Sequence, residues 1–212
     1  MNLERVPTNH ARQLSTMALR AAYYLFLAIG IAGLTYAGYS LVDAHAYQAH
    51  EQNAFEESRI QNVSQSEEPE LVGEGGVLGE MEVPRLGLKM IVVQGDSTSI
   101  LKRAVGHIPD TALPGQSGNV TLAGHRDTFF RPLRNIRSGD ALTFRTRNAE
   151  FHYQVESTAV VAPGDVSVLQ ASGGRTLTLI TCFPFYYVGA APNRFIVRAR
   201  QVESSANPVG GH

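Results

Sequence analysis

The single cysteine among the 212 residues, Cys182, closes the run Thr176-Leu-Thr-Leu-Ile-Thr-Cys182 and is followed directly by Phe183-Pro184-Phe185. A lone thiol is either a reactive nucleophile or a small buried side chain. The alternation of Thr and Leu predicts a strand over 176–182. Proline has no backbone N–H and cannot continue a ladder, so Pro184 sets Cys182 at the mouth of that strand. Twelve residues after the cysteine, Arg194-Phe-Ile-Val-Arg-Ala-Arg200 predicts a further strand. If the two strands are neighbours, Arg194 lies at the same end of the sheet as Cys182, where a guanidinium stabilises a thiolate or an oxyanion. A third strand ends in Thr121-Leu-Ala-Gly-His125 and presents an imidazole at its tip. Converging strand ends are how a β scaffold assembles a reactive site on rigid elements. The other six histidines, His10, His45, His50, His107, His152 and His212, lack such a setting.

Three strand ends converge only on a rigid sheet. Short strands are predicted at Glu82–Arg85, Lys89–Val93, Asn119–Gly124, Ala141–Arg147, Glu150–Val161, Thr176–Cys182 and Arg194–Val202, each bounded by Gly, Pro, Asn or Asp. Asn148-Ala149 suggests a hairpin between the fourth and fifth. Ser97–Ala104, Pro132–Ile136 and Val166–Gln170 look like short helical turns. Many short strands in one run of chain indicate an all-β barrel or sandwich.

Upstream, Ala21 to Val42 is 22 residues without a charge, about 33 Å as a helix, which is long enough to cross a bilayer core. Arg5, Arg12 and Arg20 precede it and Asp43 closes it. The basic bias predicts a single-pass type II anchor in the cell membrane with the rest of the chain extracytoplasmic. A cleaved signal peptide is the alternative, with Ala44-His45-Ala46 as its site, but the apolar stretch exceeds the usual 7–15 residues of such a segment. Asp43 to Glu82 holds ten acidic residues against one basic. Its first part, to about Arg59, could continue the helix outward, and the remainder reads as a flexible tether. From Val83 on, fourteen Lys and Arg stand against eight Asp and Glu. Those basic residues are scattered and not interleaved with aromatic residues, so no nucleic acid partner is expected. The expected organisation is a cytoplasmic N-terminus at 1–20, an anchor at 21–42, an acidic stalk at 43–79, a catalytic domain at 80–203 and a disordered tail at 204–212.

The run Thr178-Leu-Ile-Thr-Cys182 resembles the nucleophile signature T-L-x-T-C of the sortase family, with an arginine at sortase spacing, and His125 in Ala-Gly-His looks like the sortase histidine. The resemblance covers Glu82 to Val202, and Cys-Phe-Pro-Phe-Tyr-Tyr with its short loops is most similar to the class D group. It implies a closed eight-stranded β-barrel and a cysteine transpeptidase. Such an enzyme cleaves a C-terminal sorting signal similar to Leu-Pro-x-Thr-Gly after Thr, through a thioester on Cys182. An amine acceptor, a cell-wall precursor or a pilin lysine, then takes the acyl group. His125 would serve as acid and base and Arg194 as oxyanion or substrate holder, with Thr181 either touching substrate or simply filling its strand. Asp127 either orients His125 or caps the turn leading to Thr128. Neither cofactor nor metal is expected: one Cys without a close His pair leaves zinc no ligand set, and the 163–174 loop holds only Asp165 for calcium.

Other readings are a non-catalytic anchored β-domain, in which Cys182 is an inert core residue, and a peptidoglycan L,D-transpeptidase. The Ser-x-Gly and His-Gly pattern of the latter does not precede Cys182. A cell-wall hydrolase of the NlpC/P60 kind would place its cysteine before its histidine, at a helix start.

Overall fold

A computed structural model describes residues 9–61, 72–170, 173–187 and 189–202, with side chains of the first helix described from Met17 to Ser58. The expected tail at 204–212, the tether between 62 and 71 and the first eight residues lie outside them. Helix α1 (Asn9–Gln61) is followed by eight strands: β1 (Val77–Val83), β2 (Leu88–Gln94), β3 (Val105–His107), β4 (Gly118–Ala123), β5 (Ala141–Arg145), β6 (Glu150–Val161), β7 (Arg175–Phe183) and β8 (Asn193–Val202). A short helix, α2 (Thr98–Leu101), lies between β2 and β3. The chain divides into two units, Met1–Asp43 and Ala44–His212.

In the first unit, α1 carries Leu25, Phe26 and Leu34 exposed. Between Met17 and Ser58 the helix includes an 18-residue stretch apolar enough, by length and composition, to cross a membrane.

In the second unit the strands close into a barrel in the order β1-β2-β3-β4-β7-β8-β6-β5. Two of its pairs, β2 with β3 and β4 with β7, are parallel. Period-2 alternation sends Met81, Leu122, Leu142, Phe144, Leu177, Leu179 and Val197 inward, where they are buried. Each such side chain stabilises the barrel by about 1.5–3 kcal/mol relative to exposure.

Strand β1 opens at Val77, five residues before the strand expected from sequence, and takes in Glu80 and Glu82. Acidic residues signal linker, yet Glu80 is fully buried because Lys89 Nζ lies 3.1 Å and Arg145 Nη1 3.4 Å from its carboxylate. Arg145 also holds Glu82 at 2.6 Å and Glu150 at 3.1 Å. The three-residue β3 is too short to leave a pattern and is missing from the expected strands.

Residues 44–61, expected as part of an outlying stalk, belong to the barrel unit. Phe55 is 3% exposed and packs with Ile91, Val93 and Ala104 on the outer face of β2. Because β3 pairs only with Val92 to Gln94, a seam opens beside β2. Gln48 fills it: its Oε1 accepts from the Ile91 backbone N–H at 2.8 Å, and its Nε2 donates to the Arg103 carbonyl at 2.8 Å. One side-chain amide thus replaces a missing piece of strand.

Candidate active site

Leu177 and Leu179 point into the core, so Thr176, Thr178, Ile180 and Cys182 share the outer face of β7. Cys182, one residue from the strand's end, is partly exposed and unpaired. The antiparallel register of β7 and β8 sets Arg194 directly opposite it.

β4 runs parallel to β7 with Ala123 beside Ile180, and the Gly124 N–H extends the ladder by donating to the Ile180 carbonyl at 3.2 Å. His125 follows directly, so it lies at the same end of the sheet as Cys182, which is two residues past Ile180. The registers therefore gather His125, Cys182 and Arg194 at one end of the barrel. Glycine is required at 124, because a Cβ there would lie 2.8 Å from the ring of Phe130. Phe130 is buried beneath the turn and its N–H donates to the His125 carbonyl at 3.0 Å. The imidazole itself is exposed.

Arg194 is half-buried, and its Nη1 donates to the carbonyls of Asn193 at 3.1 Å and Ala191 at 3.4 Å. Both acceptors are neutral, and among the described residues no carboxylate pairs with it, so its charge is not cancelled. Thr181 is 3% exposed and its hydroxyl donates to the Gly124 carbonyl at 2.7 Å. That bond straps the end of β4 to β7, turning the side chain away from the outer face that Cys182 occupies. Asp127 stands beside Arg126, 3.3 Å from its Nε, instead of hydrogen bonding to His125.

Sequence reasoning passed over Arg126. Its guanidinium is buried and donates to the carbonyls of Pro184, at 2.9 Å, and Tyr187. An arginine following a histidine leaves no periodic signal, so sequence offers nothing to mark it. The loop after Cys182 is further held by Phe185, whose ring packs edge-on to Phe195 at 5.2 Å and to Phe183 at 6.0 Å. Tyr186 projects outward with the guanidinium of Arg134 5.6 Å from its ring centre. On the other flank, the turn Val166–Leu169 is anchored through the Val168 carbonyl, which accepts from Asn119 Nδ2 at 3.0 Å and Arg198 Nη2 at 3.3 Å. Asn119 Oδ1 in turn accepts from Thr176 and Thr178.

His107, on β3, is occupied structurally. Its ring nitrogens contact Gln94 Oε1 and the Ala112 carbonyl, each at 2.9 Å. Burial pushes its pKa below the usual histidine value, against the opposing pull of the Ala112 carbonyl. Among the described residues no group of three or more His, Cys, Asp or Glu converges as a metal would need.

A family model for the sortase domain matches residues 81–202. The chain is 35% identical over 129 residues to Sortase D of Bacillus subtilis, covering 60% of this chain and 65% of that one. It is 32% identical over 219 residues to Sortase SrtE1 of Streptomyces coelicolor, covering 92% of this chain and 60% of that one. It thus spans about two thirds or less of the length of both curated relatives. Among solved structures it resembles sortase C of Clostridium perfringens with the C-terminal cell wall sorting motif. That match has a TM-score of 0.58 at 26% identity and covers 71% of this chain and 85% of the other.

Proposed function

The chain belongs to the sortase family, and from that premise we propose that it is a membrane-anchored cysteine transpeptidase acting on proteins that carry a C-terminal sorting signal. The registers that set Cys182 opposite Arg194 and bring the strand before His125 to the same end of the sheet carry this reading. The likeness to a sortase C solved with the C-terminal cell wall sorting motif supports the substrate class.

Cys182 Sγ attacks the carbonyl of the signal's Thr, within a motif similar to Leu-Pro-x-Thr-Gly. The carbonyl π pair moves to oxygen, and the Arg194 guanidinium stabilises that oxyanion. Collapse breaks the Thr–Gly C–N bond as the His125 imidazolium gives its proton to the leaving amine, leaving a thioester. An acceptor amine then adds to the thioester, His125 takes its proton, and the Cys182 thiolate departs as the new amide closes. Splitting amide exchange through a thioester conserves the acyl group for an amine instead of losing it to water. The acceptor is a peptidoglycan precursor or a pilin lysine. The exposed apolar stretch 21–42 of α1 and the arginines that precede that stretch support a single-pass anchor with the barrel outside the cytoplasm.

Incubating the full chain in detergent micelles with sorting-signal peptides, varied over their first three positions, should give a mass adduct on Cys182 that added amine discharges. Cys182→Ala should give none. No adduct with any peptide of the set would overturn the assignment.

A further inference from the structure

His125 sits between two attachments, and both reach the chain that flanks Cys182. Before it, the Gly124 N–H donates to the Ile180 carbonyl and the Gly124 carbonyl accepts from the Thr181 hydroxyl. After it, Arg126 reaches across to the loop that follows the cysteine, with Nη1 on the Pro184 carbonyl and Nη2 on the Tyr187 carbonyl. Arg126 is only 7% exposed, and the one carboxylate beside it, Asp127, is 70% exposed with both oxygens 3.3 Å from Nε. Withdrawing a guanidinium from water is costly unless its donors are satisfied. Here four of its contacts are with oxygens, and two of those are backbone carbonyls in one loop. The planar fork of arginine presents two separate nitrogens in fixed geometry, one to each carbonyl, whereas the lysine ammonium is a point charge with all its donors on one rotating nitrogen. β4 has already ended at Ala123, so no strand ladder continues through the turn.

We propose that Arg126 is a positioning residue for the Cys182–His125 pair. Its guanidinium binds the histidine turn to the Pro184–Tyr187 loop and so fixes the separation of imidazole and thiol. The inference rests on the reading of these two groups as the reacting pair. Arg126 itself touches no reacting atom; its effect passes through His125.

The test uses the full chain in detergent micelles and follows alkylation of Cys182 by iodoacetamide at neutral pH, which needs no sorting peptide. The reagent consumes thiolate, and an imidazolium partner raises the thiolate fraction. Arg126→Lys and Arg126→Ala should each slow alkylation about tenfold, as misplacement of one member of a reacting pair does, while the chain still melts cooperatively. Guanidinium ion added at tens of millimolar, roughly, should restore the rate of Arg126→Ala by occupying the vacated slot. With His125→Ala already in place, the same substitutions should change the rate by less than about twofold, since contacting residues that act as a unit are non-additive. An unchanged rate in the folded single variants overturns the proposal. So does an equal loss in both histidine backgrounds, which would make Arg126 a support of the fold alone. If Arg126→Ala fails to melt cooperatively, Arg126→Lys decides, and failure of both to fold also assigns the guanidinium to stability. A normal rate in His125→Ala alone would instead overturn the pair reading on which the inference rests. A slow His125→Ala beside normal Arg126 variants would overturn the inference and leave the pair intact.

Discussion

Arg194 holds its guanidinium on the carbonyls of Ala191 and Asn193, so the side chain is oriented without being neutralised. A donor fixed in that way needs little reorganisation when negative charge develops on a substrate carbonyl beside Cys182. Arg194→Ala should therefore lower kcat for sorting-peptide cleavage by about 10²–10³ while shifting KM little, as removal of an oxyanion donor does. Steady-state kinetics on the peptide set measure this, and a loss confined to KM would reassign Arg194 to ground-state substrate binding. What was legible of these residues is their position, since Cys182, His125 and Arg194 each lie at or next to the end of a patterned strand. Thr181 was legible only as a pair of alternatives, since a threonine beside a nucleophile reads equally as substrate contact or strand filler. Its bond to Gly124 depends on β4 and β7 being parallel neighbours, a fact held 57 residues away in the chain. Arg126 was illegible for the same reason, its acceptors lying 58 and 61 residues downstream.

At the scale of elements, the C-terminal part of α1 is a component of the barrel's wall. Phe55 covers Ile91 and Val93, and Gln48 bridges the seam that the short β3 leaves open. Phe55→Ala should destabilise the barrel unit by about 3–5 kcal/mol through lost burial and a cavity. Gln48→Leu should cost about 1–3 kcal/mol, because the Ile91 N–H and the Arg103 carbonyl lose their partner. Chemical denaturation of the full chain measures both, and wild-type midpoints would mean that the helix contributes nothing to the wall. The alternating strands β4, β5, β6, β7 and β8 were readable in the sequence because one face of each is apolar. β1 was only half visible, since Glu80 is paid for by Lys89 and Arg145, which arrive from β2 and β5. The docking of residues 44–61 was hidden by their acidic setting, in which one phenylalanine supplies the decisive contact.

For the molecule as a whole, stability should decline on acidification in two steps. His107 is buried with its pKa pushed down, so the fold favours the neutral ring while the unfolded chain takes up a proton near its ordinary value of about 6.5. The unfolded state then binds more protons, and stability present above that value falls as pH drops toward the folded pKa. Asp140 follows at lower pH. The Arg85 guanidinium, which binds its carboxylate, holds its pKa below the ordinary range, with the Arg137 N–H adding a further bond. Its contribution is complete above about pH 3.9 and is lost as pH falls through the folded value. Melting temperatures recorded from pH 8 to 3 should fall first below about pH 6.5, and His107→Gln should flatten that first step. An unchanged melting temperature between neutrality and about pH 5 would exclude the histidine contribution. Because the Ile91 N–H is bonded to Gln48 instead of to a strand, its exchange with solvent deuterium is governed by release of the helix and not by opening of the sheet. That single amide is a built-in gauge of how often the helix leaves the wall, readable without unfolding the rest of the barrel.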